Sequence, residues 1–244
     1  MKAGGRVYRY ELHCHTAEGS LCSDIPLREI AGFYKELGYS GICITDHFTG
    51  NGATPDDMPW RERIDFFYDI HDKARKAGLK AGIAVFSGIE YSIAPDINHL
   101  SRSIGTDFLF IDIKKEWLKE NQDAFGGKTS ELLTRVRKSG AFVIQAHPFS
   151  ERSWIECIRL FPRVTDAVEV INTALTDFEN GSADAYADTY NLYKAAGSDC
   201  HSMAKPLFSG MEVKKACLAA QDLIKAIKTG EAKPFVTPNT VWQA

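Results

Sequence analysis

The chain is 244 residues long, with 44% hydrophobic and 25% charged residues, which suffices for the core of one large domain in preference to two small ones. A net charge of −3 gives no global basic field, so non-specific nucleic-acid binding is disfavoured, while a few local cations could still hold a small phosphorylated substrate. Met1 to Val7 has no apolar segment of signal-peptide length and no run is long enough to span a bilayer, so no membrane association and a cytoplasmic location are expected; the six cysteines are scattered without Cys-x-x-Cys spacing, which argues against a disulfide framework or a cysteine-based zinc site.

In chain order, Tyr10 to Thr16 reads as a strand. His13 and His15 leave one face of it and Leu12 and Cys14 the other, and two imidazoles on one face invite a metal ion. Ser23-Asp24-Ile25-Pro26 reads as a helix start, followed by Leu27, Ile30, Ala31, Tyr34 and Leu37 at helical spacing and a stop at Gly38. Gly41 to Thr45 is a buried parallel strand that ends at Asp46-His47. Beyond a glycine- and proline-bearing loop, Ile64, Phe67, Tyr68, His71 and Ala74 form a helical stripe, on which His71 reads as structural. Gly82 to Ile89 is a further strand, delivering Glu90, and Phe108 to Ile111 follows an irregular stretch from Tyr91 to Thr106. A helix from Ser130 to Lys138 feeds the strand Ala141 to Gln145 and His147; another strand spans Ala167 to Asn172, and a helix through Ala185 to Ala195 leads to Gly197-Ser198-Asp199. Cys14, Cys43 and Cys200, beside the candidate ligands, read as small buried thiols.

Strand and helix alternating along the chain imply an α/β architecture with a mostly parallel sheet, whose chemistry sits at the carboxyl ends of the strands. The candidate ligands fall there. A barrel, unlike an open sheet, brings the first and last strand ends together, so that His13 and His15 can meet Asp199 and His201; a barrel is therefore expected. Neutral imidazole with carboxylate suits zinc, manganese or iron(II), and closely spaced dications activate water and hold phosphoryl oxygens. There is no Gly-x-Ser-x-Gly elbow, Walker loop or Rossmann glycine fingerprint.

Together, His13-Cys14-His15, Thr45-Asp46-His47, Gly88-Ile89-Glu90, Ala146-His147-Pro148-Phe149 and Gly197-Ser198-Asp199-Cys200-His201 resemble the PHP family, named for polymerase and histidinol phosphatase, in the family's motif order from Tyr10 to about Gly210. The resemblance implies a distorted (βα)7 barrel, here a single domain over residues 1–244, enclosing two or three divalent metal ions (Zn, Mn or Fe) and hydrolysing phosphate esters. It implies that His13, His15, Glu90 and Asp199 hold one ion, that Glu90 bridges to a second also held by His147, and that His47 and His201 hold a third. A further ligand to the third ion is expected in the loop after the paired histidines, where Glu18 is preferred over Asp24, which also suits a helix cap. For the second ion Asp107 and His99 compete. Asp46 and His201 are the expected catalytic residues, Asp46 by orienting an imidazole, with a nearby imidazole or a metal-bound water protonating the leaving oxygen. Glu169 and Asn172 either line the mouth or are ordinary strand residues. Arg102, Arg152 and Lys205, with Lys128, are the candidate phosphate-binding cations.

The expected reaction is hydrolysis of a small phosphomonoester. A nuclease or amidohydrolase on the same metal site, and a non-catalytic metal-binding domain, are the alternatives; the first wants a basic stripe, which is missing, and the last ought to lack several ligands, which are present. Oligomeric state leaves no trace in the sequence.

Overall fold

Strand β1, Tyr8–Cys14, is buried over most of its length, as a strand covered on both faces must be. It is followed by α1 (Leu27–Glu36), β2 (Gly41–Ile44), α2 (Trp60–Ala81), β3 (Ala84–Ser92), β4 (Asp107–Ile111), α3 (Lys115–Glu120), a 3-10 turn (Gln122–Gly126) and α4 (Thr129–Lys138). The second half contributes β5 (Phe142–Ala146), β6 (Ala167–Asn172), α5 (Asp177–Tyr190), β7 (Tyr193–Gly197), β8 (Leu207–Val213), α6 (Ala220–Lys228) and β9 (Lys233–Pro238). These elements come from a computed structural model that describes residues 6–94, 105–153, 155 and 157–241.

The strands form one sheet in the order β7-β6-β5-β4-β3-β2-β1-β8-β9. Its two halves curl until β7 lies beside β1. There His15 N donates to Cys200 O at 3.0 Å and Cys200 N to His13 O at 3.2 Å, which closes the sheet into a near-complete barrel of α/β type. Helices α1 and α2 cover the outside through Ile30, Ala31, Tyr34, Ile70 and Ala74, packed on Ile42 and Ile44 of β2. Helix α6 turns Leu223, Ile224 and Ile227 onto Tyr10, Phe142 and Ala167. Those partners lie toward the amino ends of parallel strands, so the apolar plug fills the end of the barrel opposite the candidate ligands.

The β1–β2, β2–β3, β5–β6 and β6–β7 pairs are parallel, as the alternation of elements implies. Strand β4 departs from the repeated βα unit: it runs antiparallel to both β3 and β5. Antiparallel neighbours need no crossover helix between them, and the reversal places the amino end of β4 at the rim where its neighbours have their carboxyl ends. Asp107 accordingly pairs with Ser92 on one side and Ala146 on the other. The helix expected to run to Ala195 stops at Tyr190, because Asn191 takes the left-handed conformation that ends helices. Ala195 and Ala196 lie in β7 and pack inside the barrel, where tertiary contact overrides alanine's helix propensity. Among the described residues no helix is long and apolar enough to cross a membrane.

Candidate metal centre

The position of the paired histidines depends on an irregularity in β1. The register with β2 slips between Glu11 and Cys14, a bulge of the kind that re-aims side chains next to sites. Strict alternation would put Leu12 and Cys14 on the same face. Instead Leu12 stays inside the barrel with Tyr10, while Cys14 packs outside against Ile30 and Ile42. The bulge leaves N–H groups off the ladder, and Glu11 Oε1 takes them, accepting from Leu12 N at 3.0 Å and His13 N at 2.9 Å. The same carboxylate accepts from Ser198 N at 2.8 Å, the Ser198 hydroxyl and Tyr34 OH. Glu11 therefore ties the strand carrying His13 to the turn carrying Asp199. Burial raises its pKa to about 7, against the lowering by those hydrogen bonds.

His47 and Glu90 are joined as a parallel bridge at the ends of β2 and β3. His147 follows β5 with φ 28° and Asp199 follows β7 with φ 50°. Left-handed backbone at non-glycine residues costs of order 1–3 kcal/mol and persists where surrounding structure enforces it, often at functional sites.

The side chains converge. His13 Nε2 stands 3.4 Å from Glu90 Oε1 and 3.5 Å from Asp199 Oδ1; His15 Nε2 stands 3.5 Å from Glu90 Oε2 and 3.4 Å from Asp199 Oδ1. Donors sharing one tetrahedral cation at about 2.1 Å stand roughly 3.4 Å apart. Four overlapping groups have all their ligand atoms within 4.8 Å of one another: His13, His15 and Glu90; His13, His147 and Asp199; Glu90, Asp107 and His147; and His15, His47 and His201.

Hydrogen bonds behind the cluster settle which ring nitrogen faces it. His13 Nδ1 lies 3.0 Å from Glu169 Oε1, and a carboxylate only accepts, so Nδ1 carries a proton and Nε2 is the nitrogen turned to the cluster. His15 Nδ1 lies 3.1 Å from Ser20 Oγ. That hydroxyl gives its proton to Asp46 Oδ1 at 2.9 Å, so it accepts from His15 and leaves Nε2 unprotonated. His13 Nε2, His15 Nε2 and Asp107 Oδ1 are buried without a hydrogen-bond partner, and His47 Nδ1 meets Glu90 Oε2 at 2.8 Å. Buried polar atoms are otherwise nearly always paired. A convergent set of imidazole nitrogens and carboxylate oxygens is what a divalent cation binds on displacing the protons they share, so the residues fit such a group.

Among themselves these groups stabilise one another's charged forms: against burial, Glu169, Asp199 and Glu90 hold His13 well above the usual imidazole range. Burial disfavours charge on Glu90 and Asp199, yet imidazoles outweigh it, His47 and His13 for Glu90 and His13 for Asp199, and hold both carboxyls well below the usual range. Burial and the Glu90 charge push Asp107 up. Burial would lower His147, but its hydrogen bond to Glu90 and the charge on Asp107 raise it to about 9.

Several residues singled out in the sequence lie elsewhere. Glu18 does not reach the cluster: its Oε2 accepts from Leu27 N at 2.8 Å and caps α1, the task that the sequence offered to Asp24. Asp24 is exposed and accepts from Ser202 Oγ at 3.0 Å. Asp46 is buried behind the histidines, held by Thr16 N at 2.6 Å and Thr16 Oγ1 at 2.7 Å; burial raises its pKa to about 6, and it acts on His15 through Ser20. Glu169 and Asn172 do not line the mouth. Glu169 is buried, with Oε1 on His13 and Oε2 accepting from His147 N at 3.1 Å and Asn172 Nδ2 at 3.0 Å. His71 lies on α2 against Tyr68. Lys128 is solvated beside Glu131. His99 and Arg102 lie outside the described residues.

Above the cluster opens a cavity of about 530 Å³ bordered by Arg152 and Lys205, with His47, Glu90, Asp107, His147, Asp199 and His201 in its wall. Lys205 Nζ donates to Ser198 O and Arg152 Nη2 to Ala174 O at 3.2 Å. Cys22, which sequence reading passed over, also lines this cavity. Burial raises its thiol pKa, but contacts with His201 and His47 bring it to about 7. The overlooked Glu11 carried a signal, an acid inside an apolar strand; Ser20 and Cys22 carried none.

The family model for the PHP domain matches residues 11–178. No curated protein matches. Among solved structures, a two-domain protein from Bacteroides vulgatus ATCC 8482 containing a predicted PHP-like metal-dependent phosphoesterase is similar with a TM-score of 0.67 at 15% identity, over 96% of this chain and 66% of that one. This chain thus spans just under two thirds of that protein. PsfC from Pseudomonas syringae PB-5123 is similar with a TM-score of 0.60 at 19% identity, over 95% of this chain and 91% of that one. An amidohydrolase from Chromobacterium violaceum, with bound sulfate and no metal, is similar with a TM-score of 0.51 at 13% identity, over 79% and 87%. At these identities the likeness speaks for the fold.

Proposed function

This chain belongs to the PHP domain family, and from that premise we propose that it is a metal-dependent phosphoesterase acting on a small phosphomonoester with two or three divalent cations. The observation that carries the reading is the convergence of nitrogen and oxygen atoms of His13, His15, His47, Glu90, Asp107, His147, Asp199 and His201 within ligand-sharing distance, beside a cavity lined by Arg152 and Lys205.

Bound divalent cations supply an activated water near neutral pH and neutralise charge on the phosphoryl oxygens. His13, His15 and Asp199 hold the first. Glu90 is suited to bridge, because Oε1 faces His13 and His147 at 3.4 and 3.2 Å while Oε2 faces His15 and His47 at 3.5 and 2.8 Å. His147 and Asp107 complete a second position, and His47 and His201 a third. Arg152 and Lys205 draw the phosphate dianion into the cavity, Arg152 by its planar fork. His201 Nδ1 donates to Asp199 O at 3.1 Å, which turns Nε2 toward the cluster; we therefore assign His201 to holding a cation, and the leaving oxygen takes its proton from solvent in the open cavity.

Phosphate release from a panel of phosphomonoesters, with Mn²⁺ or Zn²⁺ added, tests the proposal. Wild type releases phosphate and His13→Ala does not. A cation-loaded wild type inert on the whole panel overturns the assignment, and cleavage of amides in its place moves the chain to amidohydrolase chemistry.

A further inference from the structure

The loop from Phe48 to Pro59 contributes to none of the four ligand groups, yet its Gly50 and Asn51 line the cavity. It is fastened at both ends. Thr49 Oγ1 donates to Ser92 O at 2.6 Å and accepts from Ser92 N at 2.7 Å, which ties the near end to β3. The middle runs beside the loop that follows the paired histidines, with Leu21 N donating to Asn51 O at 2.8 Å and Ala53 N to Gly19 O at 3.0 Å. The far end is held by Arg63, near the start of α2, whose Nη1 donates to Thr54 Oγ1 and Nη2 to Pro55 O at 2.6 Å.

Arg63 is only 2% exposed, and taking a guanidinium out of water is costly unless its donors are met. Anchoring α2 does not require it, because Trp60, Ile64 and Phe67 already pack there with Phe48 in an apolar cluster. What the charge adds is a fixed course for the loop. Ser20 keeps His15 and His47 in place by bonds of its own, to His15 Nδ1, His47 N and Asp46, so the ligand cluster does not depend on Arg63. Resting on the phosphoesterase reading above, we propose that Arg63 is a positioning residue that holds Gly50 and Asn51 as the wall receiving the alcohol part of the substrate. Asn51 carries a donor and an acceptor on one carboxamide and selects alcohols that bear further hydroxyl groups.

Steady-state kinetics of the full chain with Mn²⁺ or Zn²⁺ on β-glycerophosphate, whose alcohol has free hydroxyls, and phenyl phosphate, whose alcohol has none, test the assignment. Arg63→Met should raise KM for β-glycerophosphate about tenfold, the worth of one hydrogen bond, and leave kcat, cation affinity and the KM for phenyl phosphate unchanged. Asn51→Ala should match it, and Arg63→Lys, which keeps a donor to the loop, should recover part of the loss. Hydrogen exchange at the amides of residues 50–53 should quicken in Arg63→Met. An equal rise in KM for both esters, or a fall in kcat and cation affinity at constant KM, overturns the positioning role, and unchanged exchange overturns the clamp. If Arg63→Met does not fold, Arg63→Lys tests the clamp and Asn51→Ala, at an exposed position, tests the wall. A cation-loaded wild type inert on both esters overturns the phosphoesterase reading, while exchange still decides whether Arg63 fixes the loop.

Discussion

The ligand atoms are set by residues that never face the cavity. Glu169 fixes the tautomer of His13 and anchors the backbone of His147 at the same time. Removing its charge while keeping its shape is therefore informative. Glu169→Gln places an amide among three donors, and cation affinity should fall roughly 10- to 100-fold, as when hydrogen-bonded supports of metal ligands are lost; calorimetric titration measures the fall and circular dichroism should show the fold unchanged. An unchanged affinity would mean that the ring of His13 is held by packing alone. At this scale the sequence was legible where chemistry was conspicuous: imidazoles and carboxylates closing apolar runs at His13, His47, Glu90, His147 and Asp199. It was illegible where a role depends on a partner far away. His13 and Glu169 are 156 positions apart, and Glu18 became a cap because its carboxylate reaches Leu27, a distance that no motif encodes.

At the scale of elements, two irregularities aim the site. The bulge in β1 and the register slip in β6 between Glu169 and Ile171 face each other across the contact of His13 with Glu169. Gly197, at the end of β7, makes room for them. A Cβ there would lie 2.4 Å from His13 Cβ and 2.7 Å from Glu169 Oε1. Gly197→Ala should destabilise the chain by about 1–3 kcal/mol, the usual cost of overpacking, and weaken cation binding along with it; denaturant unfolding and a metal titration on one preparation check both. Should stability fall while affinity holds, the strain has been absorbed away from His13. Hydrophobic spacing located most of the strands and helices before the fold was seen, because burial imposes it on each element separately. The direction of β4 and the bulges leave no such imprint. Both arise from pairing between strands, and Ala195 was misread for the same reason, since a buried alanine suits either element.

For the whole molecule, the net charge of −3 describes a mildly acidic body whose cavity sets two cations, Arg152 and Lys205, beside Glu90, Asp107 and Asp199. That arrangement suits a small anion better than a polyanion, which would need a continuous basic track. The barrel closes where β7 meets β1, and the backbone that makes the seam at Cys14 and Cys200 is also the backbone that carries His13, His15, Asp199 and His201. Glu11 and Ser198, which brace the seam from behind, are 187 positions apart. Contacts of such long range carry a large loop-closure cost, and until they form the imidazoles are scattered along a loose chain with nothing to chelate. Ion capture then follows closure of the seam. In stopped-flow experiments zinc should leave the refolding rate unchanged and slow unfolding, the pattern of an interaction absent from the transition state; faster refolding with zinc would mean that a nascent centre guides the ends of the chain together.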